Sequence, residues 1–496
     1  MNWVAISFAI YTLGVMAFGV YSARFAKKTS SDFFLADRGL GAWVAALSAS
    51  ASAESGWVTL GLVGIAYKSG VGAMWLVVGT VAAFLFNWLV LAKRLRKHSI
   101  ATNSITLPDV LAANHRGGVA IAIRLVSVLI ILSMLTAYVA AQLNAAGKAF
   151  EETFGWQYFV GVFVGAGIVL VYTVVGGFRA VAWTDVVQAV LMVSGVIILP
   201  LVMVMMLGGP FEFWDKLASL EAREIVVKGK DVSLAGGGSM TDGFGGKTGL
   251  MLIGFLAVWL GVPLGNPGQP HILVRLMATK DEQAINRAAV ISSVWVFFLF
   301  TGAILVGLTA RVMFADLADP ERALPHSAIQ LLPAPLAGMM IAALVAAICS
   351  TADSQLLVSA SAVSHDIYVR LLGKEPSDQT RTMINRTAVI FIAVIATAIA
   401  MGKVRAVFDF VLYAWDGLGA GFGPALILTL LWRRTTGWGV LIGMIVGVAT
   451  AVVWRETLHK SLYSLIPAFA FSFFTILFVS ILTSTTSAKD QPSTKS

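Results

Sequence analysis

The sequence predicts an all-α polytopic membrane protein, and three observations carry that prediction. Hydrophobic residues make up 58% of 496 and charged residues only 12%, against roughly 25% charged in an ordinary soluble domain. Apolar runs of the roughly 20 residues a helix needs to cross a bilayer recur along nearly the whole chain. The second and seventh of these runs are interrupted at matching places. Composition also excludes much: the single cysteine, Cys349, rules out an intramolecular disulfide and a cysteine zinc site, and the six histidines have no metal-ligand spacing.

Apolar runs fall near 3–23, 42–68, 73–92, 118–147, 157–176, 180–208, 249–274, 285–310, 334–362, 385–402, 407–431, 437–454 and 462–484, which gives 13 candidate spans. The first is too long for a signal peptide and lacks a basic start and a small-residue cleavage site. An odd number of spans puts the termini on opposite sides. With the N-terminus outside, 22 of the 35 Lys and Arg face the cytoplasm, among them Arg24, Lys27, Lys28, Arg38, Arg275, Lys489 and Lys495. That excess sets the orientation, C-terminus cytoplasmic, and accounts for most of the net charge of +9. No basic helix or aromatic-basic interleaving points to nucleic acid. The transporter domain spans 1–484 and a short polar tail follows at 485–496; the stretch 209–248 reads as a Gly-rich external loop.

The second span contains Ser48-Ala-Ser-Ala-Ser-Ala-Glu-Ser-Gly56, and the seventh Gly261-Val-Pro-Leu-Gly-Asn-Pro-Gly-Gln-Pro270. Neither string holds a full helical ladder, because proline removes a donor and glycine weakens the helix. Freed backbone groups in hydrocarbon must bind something or line a cavity. The breaks lie five spans apart, each in the first helix of a five-helix unit, so the repeats 42–208 and 249–431 have inverted topology. Paired interruptions of this kind point to a transporter's central site.

On the ninth span Ala347, Ser350, Thr351 and Ser354 recur at i, i+3, i+4 and i+7 and share one face, with Asp353 beside it. Hydroxyls, carbonyls and a carboxylate make an oxygen-rich set that suits a small hard cation. Serine and threonine also bond back to their own helix or join helices, which covers the hydroxyls. It does not cover Asp353, since a mid-span carboxylate is costly. Glu54 lies inside the second-span break. Two further acids have structural alternatives: Asp185 as a helix-start acid near the interface, and Asp416 as a partner of Arg405 near the outer surface.

These residues carry a pattern. With Ala46-Leu-Ser, Ser55-Gly-Trp57, Thr106-Leu-Pro-Asp109, Trp183-Thr-Asp185, Gly268-Gln-Pro-His-Ile-Leu-Val-Arg275, Ser350-Thr351, Gln355-Leu-Leu357 and Tyr413-Ala-Trp415, the chain resembles the sodium:solute symporter family and is most similar to sodium/proline symporters, over residues 5 to 470. The resemblance implies a LeuT-like core of two inverted five-helix repeats. It implies a sodium site on spans 2 and 9, made by the backbone carbonyls of Ala51, Glu54 and Ala347 and the hydroxyls of Ser350 and Thr351. A second cation or proton site would use Asp185, Asp353 and Ser354. Ser55, Gly56, Tyr138 and Pro270 match substrate-region positions. The aromatic walls of the seventh span correspond to Val262 and Asn266, and the acid of the second span corresponds to Ala53, with Glu54 following it. Gln142, one turn after Tyr138, is a further pocket candidate or a helix–helix bonding group.

The function expected is sodium-coupled import of a small polar organic solute, proline or another amino acid, across the plasma (inner) membrane, with Na+ as the bound ion and no protein partner implied. Alternatives are a proton-coupled transporter using Glu54 or Asp353, and a sodium symporter for a small carboxylate or sugar. A channel would need a wide continuous pore. A sensor input domain would precede a kinase, whereas this chain ends about a dozen residues after the last span. No nucleophile–base pair or cofactor motif suggests an enzyme. Glu54 faces either a solute ammonium or Arg38 at the cytoplasmic end.

Overall fold

A computed structural model describes residues 3–23, 34–222, 225–227, 230–232, 238–402, 406–458 and 462–487. Arg24, Lys27, Lys28, Arg405, Lys489 and Lys495, used above for orientation or pairing, lie outside the described residues.

The first helix, α1 (Trp3–Ala23), precedes the interrupted second span. There α2 (Ala42–Ala53) runs through the Ser/Ala alternation, every side chain from Val44 to Ala53 buried. Small residues allow this close approach of helix backbones. Glu54 leaves the helix at φ −105°, ψ 102°. Helix resumes as α3, a wide π-type turn Trp57–Leu62 continued by Val63–Ser69. The break is thus narrower than the sequence suggested: Ser48–Ala53 stays helical, only Glu54 and Ser55 depart, and Gly56 is back in helical geometry at φ −52°, ψ −20°.

The third span, α4, joins Trp75–Phe86, a second π-type stretch Asn87–Ala92, and Lys93–Ala101. A short α5 (Leu107–Ala112) is capped by Thr106, whose hydroxyl accepts from Asp109 N at 3.2 Å. Next come α6 (Gly117–Phe154) and α7 (Tyr158–Met206). With 49 residues, α7 would be about 74 Å long as one rod. Gly177, at φ 61° and ψ 176°, breaks it between the expected fifth and sixth spans.

The loop after α7 is not featureless. It holds α8 (Pro210–Ala218) and a two-stranded antiparallel hairpin, β1 (Ile225–Val227) and β2 (Lys230–Val232), with Val226 opposite Asp231. This pair of three-residue strands is a loop detail, and the fold is helical as expected. Met240 O accepts from Val71 N at 2.8 Å. A Cβ on Gly70 (φ 74°) would stand 2.3 Å from that same Met240 oxygen, so both backbone sign and space require glycine there.

The seventh span is α9 (Gly249–Gly261), a 3₁₀ turn Val262–Gly268, and α10 (Pro270–Ala278), which proline starts at its first position. Then follow α11 (Glu282–Met313), α12 (Ala323–Leu331), α13 (Ala334–Ser361, continued as a π-type stretch Ala362–Leu371), α14 (Asp378–Ala400), α15 (Val407–Leu431), α16 (Gly437–Thr457) and α17 (Leu465–Ser487). Among the described residues ten helices are long and apolar enough to cross a membrane; Trp3–Gly19, Ala42–Ala53 and Tyr158–Val171 are shorter apolar helices. This is an integral membrane protein. The ten long helices do not by themselves reproduce the expected 13, because Trp3–Gly19, Ala42–Ala53 and Tyr158–Val171 fall short individually, while the second half of α7 counts among the ten.

Candidate functional site

The second-span break and the hydroxyl face of α13 meet. Ser350 Oγ donates to Ala51 O at 2.9 Å and to Ala347 O at 3.1 Å, and Thr351 Oγ1 donates to Ala51 O at 3.4 Å. Both hydroxyls are fully buried. Two carbonyls and two hydroxyls therefore share one small volume at the end of α2, where the helix can no longer use its last carbonyls internally. Oxygen donors alone, held this close, fit an alkali cation. Hydroxyl protons now aimed at the carbonyls would turn away from an ion, freeing all four oxygens for it.

Glu54 is 1% exposed, and its Oε2 has no hydrogen-bond partner. Arg38 is not its partner: that guanidinium donates to Ser99 Oγ (2.8 Å), Ser104 O (2.9 Å) and Met277 O (3.4 Å). On the far side of the break Gln142 binds both following residues, accepting from Gly56 N at 3.0 Å and donating to Ser55 Oγ at 3.0 Å. Gln142 thus satisfies the backbone freed by the break. Tyr138 is fully buried with a free hydroxyl, and its ring meets His271 edge-on at 6.0 Å. Both His271 ring nitrogens also lack partners.

At the seventh-span break, Asn266 Oδ1 accepts from Asn87 Nδ2 at 2.5 Å, and Pro270 is buried at the start of α10. Trp415 Nε1 donates to Val262 O at 2.8 Å, and Gln269 Nε2 donates to Gly265 O (3.1 Å) and Trp415 O (3.3 Å). A Cβ on Gly265 would stand 2.1 Å from Trp415 Nε1. An indole from α15 therefore fills space beside the missing seventh-span aromatics.

Asp185, Asp353 and Ser354 come together, all fully buried, so Asp185 is no interfacial helix-start acid. Asp185 Oδ2 accepts from Ser48 (2.6 Å) and Ser52 (3.3 Å), and Ser354 Oγ lies 3.0 Å from Ser52 Oγ. Arg275 is with them. Counted above in the cytoplasmic belt, it is 1% exposed, with Nη2 3.1 Å from Asp185 Oδ2 and 2.5 Å from Ser354 Oγ. Asp416 meets Tyr463, Ser464 Oγ at 2.6 Å, and Arg455 Nη1 at 3.5 Å, while Arg405, its expected partner, lies outside the described residues.

Sequence reading did not single out Asn87, gave Gln269, His271 and Trp415 no role beyond the strings that carry the resemblance, and missed two clusters of charge. In one, Glu321 accepts from Val407 N (2.9 Å) and Phe408 N (3.1 Å) at the start of α15, and Lys148 Nζ pairs with Glu321 (2.6 Å) and Asp319 (2.8 Å). Burial alone would raise the Asp319 carboxyl, but Lys148 outweighs it and holds the group low. In the other, Asp109 meets Arg124, Arg370 (3.1 Å) and His365 (2.8 Å), with Asp366 bonded to Thr106 at 2.7 Å. Burial pushes Asp109 up, while the His365 bond and the two guanidinium charges prevail and keep it well below the usual carboxylate range. Asp109, His365 and Asp366 could together ligate a metal by distance, yet the arginines already neutralise them. A cleft here is lined by Thr106, Asp366, Pro270, Arg275 and Ser354.

A family model for the sodium:solute symporter family matches residues 33–447. The chain belongs to the sodium:solute symporter family. A sodium/proline symporter of Escherichia coli is 35% identical over 98% of this chain and 94% of its own. The high-affinity proline transporter PutP of Bacillus subtilis is 37% identical over 92% and 94%. Among solved structures, a Na+-coupled sialic acid symporter superposes with TM-score 0.79 at 18% identity, covering 98% of both chains. A nucleobase-cation symporter, Mhp1, superposes with TM-score 0.56 at 15% identity over 94% of this chain and 96% of its own. Those two likenesses establish the fold, a helical transporter fold of the LeuT type. Membership in this family makes the protein a symporter by class.

Proposed function

We propose that this symporter imports proline, or a closely related amino acid, coupled to sodium. The observation that carries the reading is the meeting of Ala51 O, Ala347 O, Ser350 Oγ and Thr351 Oγ1 at the second-span break. The relatives' names, both proline transporters, support the solute.

In this reading sodium binds those oxygens together with the Glu54 carbonyl, and so orders Glu54–Gly56. The solute then sits against Ser55, Gly56, Tyr138, Gln142, Asn266 and Pro270. Exposed N–H groups at the half-helix starts favour its carboxylate, and the unpaired Glu54 carboxylate favours its ammonium. Each ligand raises the affinity of the other by the same factor. Asp185 on α7 and Asp353 and Ser354 on α13 form a second charged centre beside the first, which bears on how many cations move. Thirteen spans, N-terminus outside the inner membrane, and inverted repeats at 42–208 and 249–431 within one domain to residue 484 complete the proposal, with the remaining residues a cytoplasmic tail.

Purified protein in proteoliposomes tests it: an inward sodium gradient should drive accumulation of labelled proline, and replacing sodium by choline at fixed pH should stop it. Accumulation that follows a proton gradient and ignores sodium would overturn the coupling. Because Val262 and Asn266 stand where aromatic walls are expected, polar analogues of proline should compete; proline uptake untouched by any of them would overturn that inference.

A further inference from the structure

We propose that the guanidinium of Arg275 is the resident cation of the centre at Asp185, Asp353 and Ser354, so that only one sodium ion binds, at Ala51, Ala347, Ser350 and Thr351. The proposal rests on the sodium-symport reading above.

The guanidinium is placed as a ligated ion would be. Nη2 reaches Asp185 Oδ2 (3.1 Å) and Ser354 Oγ (2.5 Å), Nε donates to Ser48 Oγ (3.0 Å), and Nη1 donates to His271 O (2.5 Å). Its flat face lies over the Phe178 ring at 5.2 Å. The planar fork and weak hydration of arginine suit such a dry, many-sided site better than lysine would. Of the oxygens that could ligate a second alkali ion, it occupies Asp185 Oδ2 and the Ser354 hydroxyl. Asp185 Oδ2 accepts from Ser48, Ser52 and Arg275 together. The Ser354 hydroxyl donates to Ser350 O at 2.7 Å and takes the arginine on its lone pair. An alkali ion added here would stand against a fixed positive charge at low dielectric, where repulsion is strong.

Arg275 also links both interruptions. It lies on α10, just past the seventh-span break. Its partners are Ser48 on α2, before the second-span break, Asp185 on α7, and Ser354 on the same helix as Ser350 and Thr351. A fixed cation there holds α10 against the helices of the sodium site, a structural task a diffusible ion would do only while bound. Asp185 Oδ1 and Asp353 Oδ2 remain without partners. They are the two oxygens through which a second alkali ion could still join the arginine, and the experiment separates that outcome.

The test is equilibrium binding of ²²Na+ to the purified full-length protein, wild type and variants. Wild type should bind one ion per chain, and the Ser350→Ala/Thr351→Ala protein should lose it. Arg275→Gln should bind a second ion, and that second ion should disappear in Arg275→Gln/Asp185→Asn. Two ions per wild-type chain would overturn the proposal. So would a single wild-type ion removed by Asp185→Asn and retained in Ser350→Ala/Thr351→Ala, or a folded Arg275→Gln protein that still binds one. No sodium binding at all by wild type would instead remove the sodium-symport reading, a result distinct from the others. Arg275→Lys keeps the charge and should stay at one ion, which separates loss of a cation from loss of shape.

Discussion

The two broken spans occupy equivalent places in the chain, yet their freed backbone groups are handled in opposite ways. At the second span only Glu54 and Ser55 leave the helix, and one side chain, Gln142, serves Ser55 and Gly56. Polar atoms are left over, Glu54 Oε2 and Tyr138 Oη among them. At the seventh span seven residues form a 3₁₀ turn, and Trp415, Gln269 and Asn87 bind Val262 O, Gly265 O and Asn266 Oδ1. Glycines there are pressed onto α15: a Cβ on Gly268 would lie 2.5 Å from Leu418 O and 2.7 Å from Gly419 Cα. The first break retains unpaired ligand groups for diffusible partners; at the second the bent backbone itself is tied by its own protein, and the unpaired atoms, Gln269 Oε1 and the His271 ring nitrogens, lie at its α10 end. Buried polar groups without partners are costly in a membrane interior, so they persist where a ligand completes them.

The largest effect that can break this comparison is steric. Gly268→Ala places a methyl group against backbone that cannot rotate away, and folded protein should be largely lost, measured as the monodisperse fraction in detergent. Gly56→Ala meets only side-chain atoms, Ala145 Cβ at 2.9 Å being the nearest, and should fold while uptake falls. Equal yields of the two would end the distinction between a rigid and an adjustable break.

Next in size is Glu54→Gln. If the carboxylate faces the solute ammonium or the ion, coupled uptake should fall by more than about tenfold, since a charged partner in a dry site is worth at least 1.5–3 kcal/mol. The protein should remain folded, because Oε2 holds nothing in place. Wild-type uptake at every pH and sodium concentration would reduce Glu54 to a space-filling role. Below it come Ser350→Ala and Thr351→Ala. Each removes one ion oxygen at nearly constant volume, so the sodium concentration for half-maximal uptake should rise roughly fivefold to tenfold, with solute affinity at saturating sodium little changed. Unchanged sodium activation in both would take the hydroxyls out of the site.

Both breaks and the hydroxyl face were legible in the sequence because they are local. Proline, glycine and a 3.6-residue period act within a few residues, and they named Ser350 and Thr351 before any contact was known. Partnerships across the fold were not legible. Arg275 carries a charge, and charge near a span end reads as a loop; only the packing of α10 on α2 and α7 shows it buried with Asp185. Trp415 likewise reads as one more apolar residue, although its indole nitrogen serves Val262 from 153 residues away. Asp109 and Glu321 lie outside the spans, where acids are ordinary, so nothing in their neighbourhood foretold that His365, Arg124 and Lys148 converge on them. The small hairpin between α7 and α9 was hidden by the glycines around it.

The smallest effects give the sharpest comparison, because one hydrogen-bonding group can be removed from each break. Trp415→Phe keeps the ring in the space beside Gly265 and deletes the N–H that satisfies Val262 O. A buried carbonyl left unpaired costs about 1–3 kcal/mol, so thermal stability should fall while solute affinity changes little. Gln142→Leu deletes the matching group at the second break, the one that accepts from Gly56 N and donates to Ser55 Oγ. Here Ser55 Oγ keeps the bond it accepts from Trp57 N at 3.3 Å, and a bound solute can pair with Gly56 N. Stability of the solute-free protein should therefore drop less than in Trp415→Phe, whereas the solute concentration for half-maximal uptake should rise a few-fold. Melting curves with and without proline, alongside uptake, read both quantities. If Gln142→Leu destabilises as much as Trp415→Phe and leaves solute affinity intact, Gln142 is structural glue between α2 and α6, and the second-span break is as closed as the seventh.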